Sequence, residues 1–497
     1  QEMETASLRD TITPIANGKI EVQIEPYENE ISSMQCKIFT LDGKEKLLEA
    51  EVESPGEAVS VAMQDPSIIA EERVLEIVLN LSQGGPIYYY TRILDEKDKH
   101  ILEYLNYIKD FHENSLVKAE GVGIGAAIEP DETGDNSTLQ HVTIHSDYEH
   151  VTWGELEPRV EGNERWLIKE INDTSCSVQL QYRISGKGEE NEEDRYEVKE
   201  FFRIRYKADS KKVLLLDYDR TMEQIFDAKK RVLNEKGVLL GIAAPDVPYM
   251  VNKDGTQAAF VQADELWNYD KEADELSLIF SFASGEGEDE RNMTAQHKIK
   301  LLDMDKKGNL SFAVYGYMNR GEHEGEVGVA VYYYSAEKSC VEEKAFISTK
   351  KSYAHVALEL GKLICYSVEQ DTMYVLADGV LYQIEVGRGR MLELASDLKE
   401  GQYVISEDGT RMAYQSGKRQ DKSREVTVLT FADGKKRTAE CDEGQSIIPL
   451  GFMNADFLCG YARKEDEAVT LPGETVAPMF RIEIQSRKGK VIKTYED

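Results

Sequence analysis

The sequence predicts a mainly β protein, with an N-terminal β-rich region that holds one amphipathic helix and a C-terminal β-propeller-like region. Three observations lead to this fold class: short segments that alternate apolar and polar residues, a single stretch with helical apolar spacing, and a unit of roughly 40–50 residues that recurs in the second half. At roughly 100–200 residues per domain, a length of 497 residues indicates two to four domains. We divide the chain into an N-terminal β-rich α+β domain at 1–130, a second β-rich region at 131–244 and the repeats at 245–497.

The first region begins with a clear strand pattern at residues 19–25, where Ile20, Val22 and Ile24 fall on one face. Further strands are predicted, in chain order, at 34–40, 57–63, 73–81 and 86–94. The period then changes in His100–Leu116, whose apolar residues recur at helical spacing. We expect this helix to cover one face of a sheet.

The second region returns to β patterning and can contribute strands to the propeller. Its predicted strands are at 139–146, 165–171, 176–184, 196–206 and 212–218. A short helix is predicted from Thr221, followed by an apolar strand at Val238–Ala243.

The third region contains about five copies of one unit, each marked by a strand that carries an aromatic residue after small or apolar residues. These aromatics are Phe260, Tyr315, Tyr366, Tyr414 and Tyr461. In each unit a second apolar strand, a polar turn and a closing strand follow. Several strands per unit at this period are typical of propeller blades, which bury their faces against their neighbours.

The charge balance excludes several classes of protein. Acidic residues number 93 and basic residues 59, so the formal net charge is −34. A surface of this sign repels nucleic-acid phosphates. The longest apolar run, Gly237–Ala244, is far short of the roughly 18 residues that span a membrane, so we expect no direct membrane insertion by this segment. The acidic residues are spread over turns, which makes any single carboxylate weak support for catalysis.

No cofactor or metal is predicted, because the sequence has no phosphate-binding Gly-Lys-Ser/Thr loop, no His-Glu-x-x-His motif and no Cys-x-x-Cys pair. His141, His145 and His150 lie close together ahead of Trp153. We interpret this group as structural, with a two-histidine metal site or a tryptophan sugar platform as alternatives.

The richest cluster of reactive side chains runs from Asn319 to Glu326. We predict ligand binding by Asn319, Arg320, His323, Glu324 and Glu326. An arginine can bind a carboxylate through two hydrogen bonds, and a pair of glutamates can act as acid and base at a glycosidic bond. The alternatives are a solvated hairpin loop and a salt-bridged strut between blades. No residue is assigned a catalytic role.

Two segments resemble known propeller repeats. Lys253-Asp-Gly-Thr-Gln-Ala-Ala-Phe260 and Glu407-Asp-Gly-Thr-Arg-Met-Ala-Tyr414 are similar to the x-D-G-x-x-x-A-aromatic pattern of TolB-like and WD40-like repeats. The two-part plan and the stretch Tyr315–Gly328 resemble uncharacterised membrane-tethered envelope proteins of anaerobic Gram-positive bacteria. This resemblance implies a fold and an extracytoplasmic location, with tethering through a segment outside this chain, and it implies no activity.

The predicted function is therefore that of an extracytoplasmic, non-enzymatic binding or scaffold protein of the cell envelope, with an envelope protein or a glycan as partner. The first alternative is a carbohydrate-active hydrolase or lyase on a propeller scaffold. The second is the sensor ectodomain of a membrane-anchored protein.

Overall fold

The computed structural model describes residues 2–3, 11–27, 29–63, 65–119, 123–188, 191–234, 237–283, 291, 296–415, 423–466, 468–469, 475–476 and 478–496. The chain is mainly β, as predicted, and forms two compact units. The first unit comprises residues 1–297, 317–327 and 350–355, and the second comprises residues 298–316, 328–349 and 356–497.

The first unit opens with a five-stranded sheet and a separate strand pair. Its strands are β1 (Ile12–Ile15), β2 (Lys19–Gln23), β3 (Ile31–Phe39), β4 (Lys46–Glu53), β5 (Ala58–Ala62), β6 (Arg73–Leu81) and β7 (Ile87–Asp95). The sheet order is β1-β7-β6-β3-β4, and β2 pairs with β5. The five predicted strands of this region are confirmed. Strands β1 and β4 were not predicted, because β1 has only four residues and β4 buries no side chain fully.

A second five-stranded sheet follows, covered by a helix. Its elements are α1 (Ile101–Leu116), α2 (Ile124–Ala127), β8 (His141–Thr143), α3 (Tyr148–Val151), β9 (Arg159–Ile171), β10 (Ser175–Lys187), β11 (Glu193–Lys207) and β12 (Lys212–Gln224). The order β8-β12-β11-β10-β9 is antiparallel throughout. The predicted amphipathic helix is confirmed as α1, whose Phe111 ring lies 5.5 Å from that of Phe202 on β11.

Two predictions in this region are wrong. The helix expected from Thr221 is absent from the described residues, because β12 continues to Gln224 and buries Met222 in the sheet core. The strand expected at Val238–Ala243 is reduced to Gly237–Val238 (β14), which pairs with Leu233–Asn234 (β13). After Val238 the chain leaves this strand pair, and the Ile242 carbonyl accepts a hydrogen bond from the backbone N–H of Gln224, the last residue of β12.

Five four-stranded sheets occupy the rest of the described chain. Four of them have consecutive strands as neighbours, and in the fifth a short strand pair is inserted between the second and third strands. The first, in the first unit, contains β15 (Tyr249–Val251), β16 (Gln257–Gln262), β17 (Glu265–Asp270) and β18 (Glu275–Phe280). The second sheet contains β19 (His297–Met304), β20 (Leu310–Tyr317), β21 (Val327–Ser335) and β22 (Cys340–Thr349). Helix α4 (Tyr353–Lys362) follows it in the chain. This is the strand arrangement of propeller blades.

The remaining three sheets lie in the second unit. Their strands are β23 (Ile364–Ser367), β24 (Thr372–Ala377), β25 (Val380–Glu385), β26 (Arg390–Ala395), β27 (Tyr403–Ile405), β28 (Arg411–Gln415), β29 (Glu425–Thr430), β30 (Lys436–Glu440), β31 (Gln445–Met453), β32 (Asp456–Arg463), β35 (Met479–Gln485) and β36 (Val491–Glu496). A small pair, β33 (Ala468–Val469) and β34 (Thr475–Val476), is inserted before β35. Side chains from successive sheets share one core, as where the rings of Tyr374 and Phe431 lie 4.7 Å apart.

Each repeat unit coincides with one four-stranded sheet, with one strand more per unit than the sequence indicated and one shift of register. The turn between the first two strands of each sheet contains a residue of positive φ, which explains why the Asp-Gly motif is not universal. These residues are Gly255, Gly308, Asp371, Gly409 and Asn454. Glycine, asparagine and aspartate are the residues that most readily adopt this conformation. In the third sheet Tyr366 lies on the first strand, and Tyr374 occupies the second-strand position that the repeat aromatic holds elsewhere.

A buried charged group joins α1 to the second sheet. His112 is 1% exposed; its Nδ1 lies 2.7 Å from Glu200 Oε2 and its Nε2 lies 3.2 Å from Glu164 Oε1. The Tyr218 hydroxyl donates to the other oxygen of Glu200 at 2.7 Å. Burial by itself lowers the pKa of His112, but the charge of Glu200 and the hydrogen bonds to both carboxylates outweigh it and raise the pKa to about 10.

We expect His112→Ala to lower the free energy of unfolding by about 3–5 kcal/mol, because it leaves the buried Glu200 carboxylate without its ion-pair partner. The exposed pair His141–Asp219 is the matched control, and His141→Ala should change stability by about 1 kcal/mol or less.

The pH dependence has a defined sign. Since the folded pKa of His112 is raised above the ordinary value of about 6.5, its contribution is complete below that pH and is lost as the pH rises towards about 10. Urea unfolding at pH 6 and pH 9 measures both effects. Equal stability losses for His112→Ala and His141→Ala would contradict the assignment.

Candidate functional site

A cavity of about 190 Å³ lies within the first unit and is lined mainly by polar side chains. Its charged or polar lining residues are Arg183, Arg195, Glu197, Asp264, Glu265, Ser281, Arg291, His297 and Asn319. Strands β10 and β11 provide one wall, and the first four-stranded sheet provides another through β17 and the turn that precedes it. The site therefore combines segments that are more than 100 residues apart, from Arg183 to Asn319.

The turn between β16 and β17 brings Asp264 to the cavity. Ala263 and Asp264 both have positive φ, 47° and 61°, which identifies a two-residue hairpin turn whose twist matches that of the strands. Gln262 and Glu265 form the closing pair of this hairpin. The turn thus positions two neighbouring carboxylates, Asp264 and Glu265, at the same wall.

An ion pair forms the opposite wall. Arg183 on β10 lies directly across the ladder from Glu197 on β11, and its Nη2 donates to Glu197 Oε1 at 2.8 Å. Burial raises the pKa of Glu197, the Arg183 charge lowers it, and the Asp264 charge raises it further, so the net shift is upward. The Arg183 charge is therefore engaged by the protein itself.

Glu265 has a different environment, in which its described hydrogen-bond donors are neutral. The Ser281 hydroxyl donates to Oε1 at 2.8 Å, and the Trp267 indole N–H donates to Oε2 at 3.3 Å. Burial is the main cause that raises the pKa of Glu265, and the nearby Glu197 charge adds to it. The cavity consequently holds two carboxyl groups whose ionised forms are disfavoured.

His297 completes the cavity and is 5% exposed. Its Nε2 lies 3.3 Å from the main-chain oxygen of Asp264, and since a carbonyl can only accept, Nε2 carries the proton. The other nitrogen, Nδ1, has no hydrogen-bond partner among the described residues. Burial lowers the pKa of His297, which keeps the imidazole neutral near pH 7. Nδ1 is therefore a buried hydrogen-bond acceptor beside the cavity.

The predicted ligand loop has an ordered backbone closed by its own hydrogen bonds. The backbone N–H of Met318 donates to the Glu326 carbonyl at 2.7 Å, and that of Gly325 donates to the Met318 carbonyl at 2.9 Å. A third bond runs from Glu326 N–H to the His323 carbonyl at 3.0 Å. The loop is therefore a compact hairpin connection between β20 and β21.

The side chains of this loop make contacts with neighbouring backbone and side chains of the first unit. Asn319 is buried, lines the cavity, and donates from its amide to the Arg291 carbonyl. Arg320 Nε donates to the Phe282 carbonyl at 2.6 Å. Glu324 pairs with Arg291 at 3.0 Å.

His323 and Glu326 face each other within the loop, with Nδ1 and Oε1 3.9 Å apart. Ligand binding by the five predicted residues thus stays a prediction, with Asn319 the member that reaches the cavity.

Sequence reasoning missed Glu197, Asp264, Glu265 and His297. Each lies in or beside an alternating strand segment, where a charged residue is expected on the outer face, and no spacing connects them. The one local signal is the run Ala263-Asp264-Glu265, whose polar pair interrupts two apolar strands and marks the hairpin turn.

The three histidines near Trp153 do not converge. His141, His145 and His150 pair separately with Asp219, Asp131 and Asp147, at 2.6, 3.0 and 2.8 Å. Trp153 is fully buried and has the Arg220 guanidinium 3.6 Å from its ring centre, so the sugar-platform alternative is wrong. Within the described residues, no group of three or more His, Cys, Asp or Glu side chains is arranged to hold a metal ion. No helix of the described chain is long and apolar enough to span a membrane.

No protein-family model matches the chain, and no curated protein shows significant similarity to it. Among solved structures it is similar to dipeptidyl peptidase 4 of Porphyromonas gingivalis, with 9% identity over 61% of this chain and 51% of that one and a TM-score of 0.28. This chain therefore spans about half the length of the peptidase.

Two further structures show likeness at the same level. An oligogalacturonate lyase in complex with manganese has 9% identity over 68% of this chain and 86% of its own, with a TM-score of 0.27. TolB from Acinetobacter baumannii has 10% identity over 85% and 78%, with a TM-score of 0.23. At these values no activity is transferred to this chain.

The contacts of the loop lead to a prediction about stability. We expect Arg320→Ala to lower the free energy of unfolding by about 1–3 kcal/mol, because the partly buried Phe282 carbonyl loses a charged donor. Glu324→Ala is the control, since its ion pair is exposed and should contribute about 1 kcal/mol or less. Guanidinium unfolding of both variants distinguishes them, and an unchanged midpoint for Arg320→Ala would show that this hydrogen bond does not stabilise the loop.

Proposed function

We propose that this chain is a non-enzymatic, extracytoplasmic binding protein of the cell envelope, and that the cavity in its first unit takes a small polar molecule. The observation that carries the proposal is the buried His297 Nδ1, an acceptor with no partner among the described residues, at a cavity lined by carboxylates and guanidinium groups. A buried polar atom of this kind is destabilising unless something donates to it. A bound ligand provides that donor.

The size of the cavity limits the ligand. Drug-sized ligands occupy pockets of about 300–1,000 Å³. A cavity of about 190 Å³ is smaller, so it suits a molecule no larger than one sugar ring or one amino acid. If the partner is a glycan, a terminal residue rather than an internal one is the part that enters.

Binding is favoured over catalysis by the state of the carboxyl groups. Glu197 is engaged by Arg183, and Glu265 accepts hydrogen bonds from Ser281 and Trp267. A glycosidase needs one carboxyl group that can give its proton to the leaving group.

The second candidate function is that of a carbohydrate-active hydrolase or lyase. It is supported by the raised pKa of both Glu197 and Glu265 in one cavity.

The location and larger partners extend the same proposal. A net charge of −34, spread over the surface, suits solubility in an exposed compartment. The four-stranded sheets of the second unit offer loops for an envelope protein or a glycan, by analogy with the use of propellers as interaction platforms. The proposal also includes tethering to the membrane through a segment outside this chain. A sensor role coupled to a membrane partner is compatible with the same location.

Thermal unfolding of the full chain with a panel of monosaccharides and amino acids tests the proposal. At least one compound should raise the melting temperature, since a ligand at 100 times its Kd stabilises a protein by about 2.7 kcal/mol. Ala283 is exposed and lines the cavity, so Ala283→Trp should remove the shift without changing the free protein.

The matched control is Ala273→Trp, an exposed alanine in the turn between β17 and β18, which should keep the shift. A shift that survives Ala283→Trp, or a panel without any shift, would count against a ligand site in this cavity.

A further inference from the structure

We propose that the ligand of this cavity carries a primary ammonium group, with His297 Nδ1 as one acceptor of its N–H donors and the carboxylates of Asp264 and Glu265 as its counter-charges. The inference rests on the proposed function and names the chemical class of the ligand. It depends on two independent observations, the unpartnered imidazole nitrogen and the balance of charges around the cavity.

The imidazole requires a donor rather than an acceptor. The main-chain oxygen of Asp264 holds the proton on Nε2, at 3.3 Å, and the Phe282 ring packs edge-on against the imidazole with centres 4.7 Å apart. These two contacts fix the ring orientation and leave the buried Nδ1 of this cavity-lining residue without a donor among the described residues. A carboxylate or phosphate oxygen has no proton to give to that lone pair. An ammonium or a hydroxyl group does.

The charge balance separates an ammonium from a hydroxyl group. The three arginines of the cavity each form an ion pair with a carboxylate: Arg183 with Glu197 at 2.8 Å, Arg195 with Glu161 at 2.7 Å and Arg291 with Glu324 at 3.0 Å. Their positive charges are therefore largely neutralised by the protein.

Asp264 and Glu265 are not matched in this way. Among the described residues neither carboxylate has a cation within ion-pair distance, and the donors to Glu265 are the neutral Ser281 and Trp267. The Arg183 charge lowers the pKa of Glu265 without reversing the rise that burial causes. Asp264 is thus left without an ion-pair partner beside the unpartnered acceptor, and burial disfavours the ionised form of Glu265. A bound cation favours both ionised carboxylates, whereas a neutral polyol does not and an anion disfavours them.

The Asp264 charge also acts on neighbouring carboxyl groups. Burial raises the pKa of Glu223 and the Asp264 charge raises it further, while the Lys199 charge lowers it without reversing the shift. The same Asp264 charge also raises the pKa of Glu197. A bound ammonium group in the cavity relieves this repulsion.

The test compares amines with hydroxyl compounds of matched shape. Isothermal titration calorimetry at pH 6.5 and low salt, on the full chain, uses glucosamine against glucose and ethanolamine against ethylene glycol, with glucuronate as the anionic probe. We expect at least one amine to bind about tenfold or more tightly than its hydroxyl partner, and glucuronate to bind most weakly.

Tighter binding of glucose or glucuronate, lost in Ala283→Trp, would overturn the ammonium assignment while leaving the proposed function in place. Absence of binding by every probe, together with a negative panel in the thermal test, would overturn both.

Two substitutions at His297 separate its role in binding from its role in folding. In His297→Gln the side-chain amide can take the place of Nε2 and donate to the Asp264 carbonyl, while the acceptor at Nδ1 is lost. In His297→Asn a polar atom remains near Nδ1 and the bond to Asp264 is lost. We expect glucosamine affinity to fall about tenfold or more in His297→Gln at an unchanged melting temperature. For His297→Asn we expect the reverse: glucosamine affinity stays close to that of the unchanged protein, and the melting temperature falls.

A charge variant completes the test. Glu265→Gln keeps the shape of the side chain and removes its charge; the amide oxygen can accept from Trp267 and the NH2 group can donate to the Ser281 hydroxyl. The preference for glucosamine over glucose should therefore shrink about tenfold or more. Glu275→Gln, which changes an exposed glutamate on β18 of the same sheet, is the control and should leave this preference unchanged. A preference that survives Glu265→Gln would contradict the role given to that carboxylate.

Discussion

Partnering of buried carboxylates is the constraint on which the rest of this structure depends. With 93 acidic residues and a net charge of −34, the chain keeps most carboxylates in solvent, and each one that it buries needs a donor or a cation. Glu200 has His112 and the Tyr218 hydroxyl at 2.7 Å, and Glu76 has Lys37 at 2.9 Å. In the second unit Glu483 accepts from the Tyr461 hydroxyl at 2.9 Å. These pairs connect helix to sheet and strand to strand across the cores.

The same constraint explains why the cavity is the candidate ligand site. Glu197 is paired with the Arg183 cation, whereas Glu265 accepts hydrogen bonds from neutral donors. The lone pair of His297 Nδ1 has no donor among the described residues. The buried carboxylates of Glu200, Glu76 and Glu483 have partners within the protein, whereas the polar groups of the cavity are satisfied in part. This difference, rather than the abundance of acid in the sequence, singles out the cavity among the many carboxylate clusters of the surface. A ligand with N–H donors and a positive charge completes the pairing.

The fold was predictable to the extent that it follows from local periodicity. Helix α1 and the long strands alternate or repeat strongly enough to be found without a structure. The third repeat was placed one strand early because its turn uses Asp371 in place of glycine, and both Tyr366 and Tyr374 follow apolar residues. The cavity was not predictable, because Glu197 and His297 lie on strands of different sheets, far apart in sequence, and line one cavity only in the folded chain. The loop after Met318 attracted notice by composition, and of its residues Asn319 reaches the cavity.

The protonation state of His297 is the most direct test of this account. Nitrogen NMR of the full chain labelled at histidine, with His297→Gln used to assign the signals, reads both ring nitrogens at pH 7. We predict a neutral ring with the proton on Nε2 and an unprotonated Nδ1, whose resonance moves when glucosamine is added. An imidazolium at pH 7, or a neutral ring with the proton on Nδ1, would contradict the claim that this nitrogen is the acceptor for a ligand.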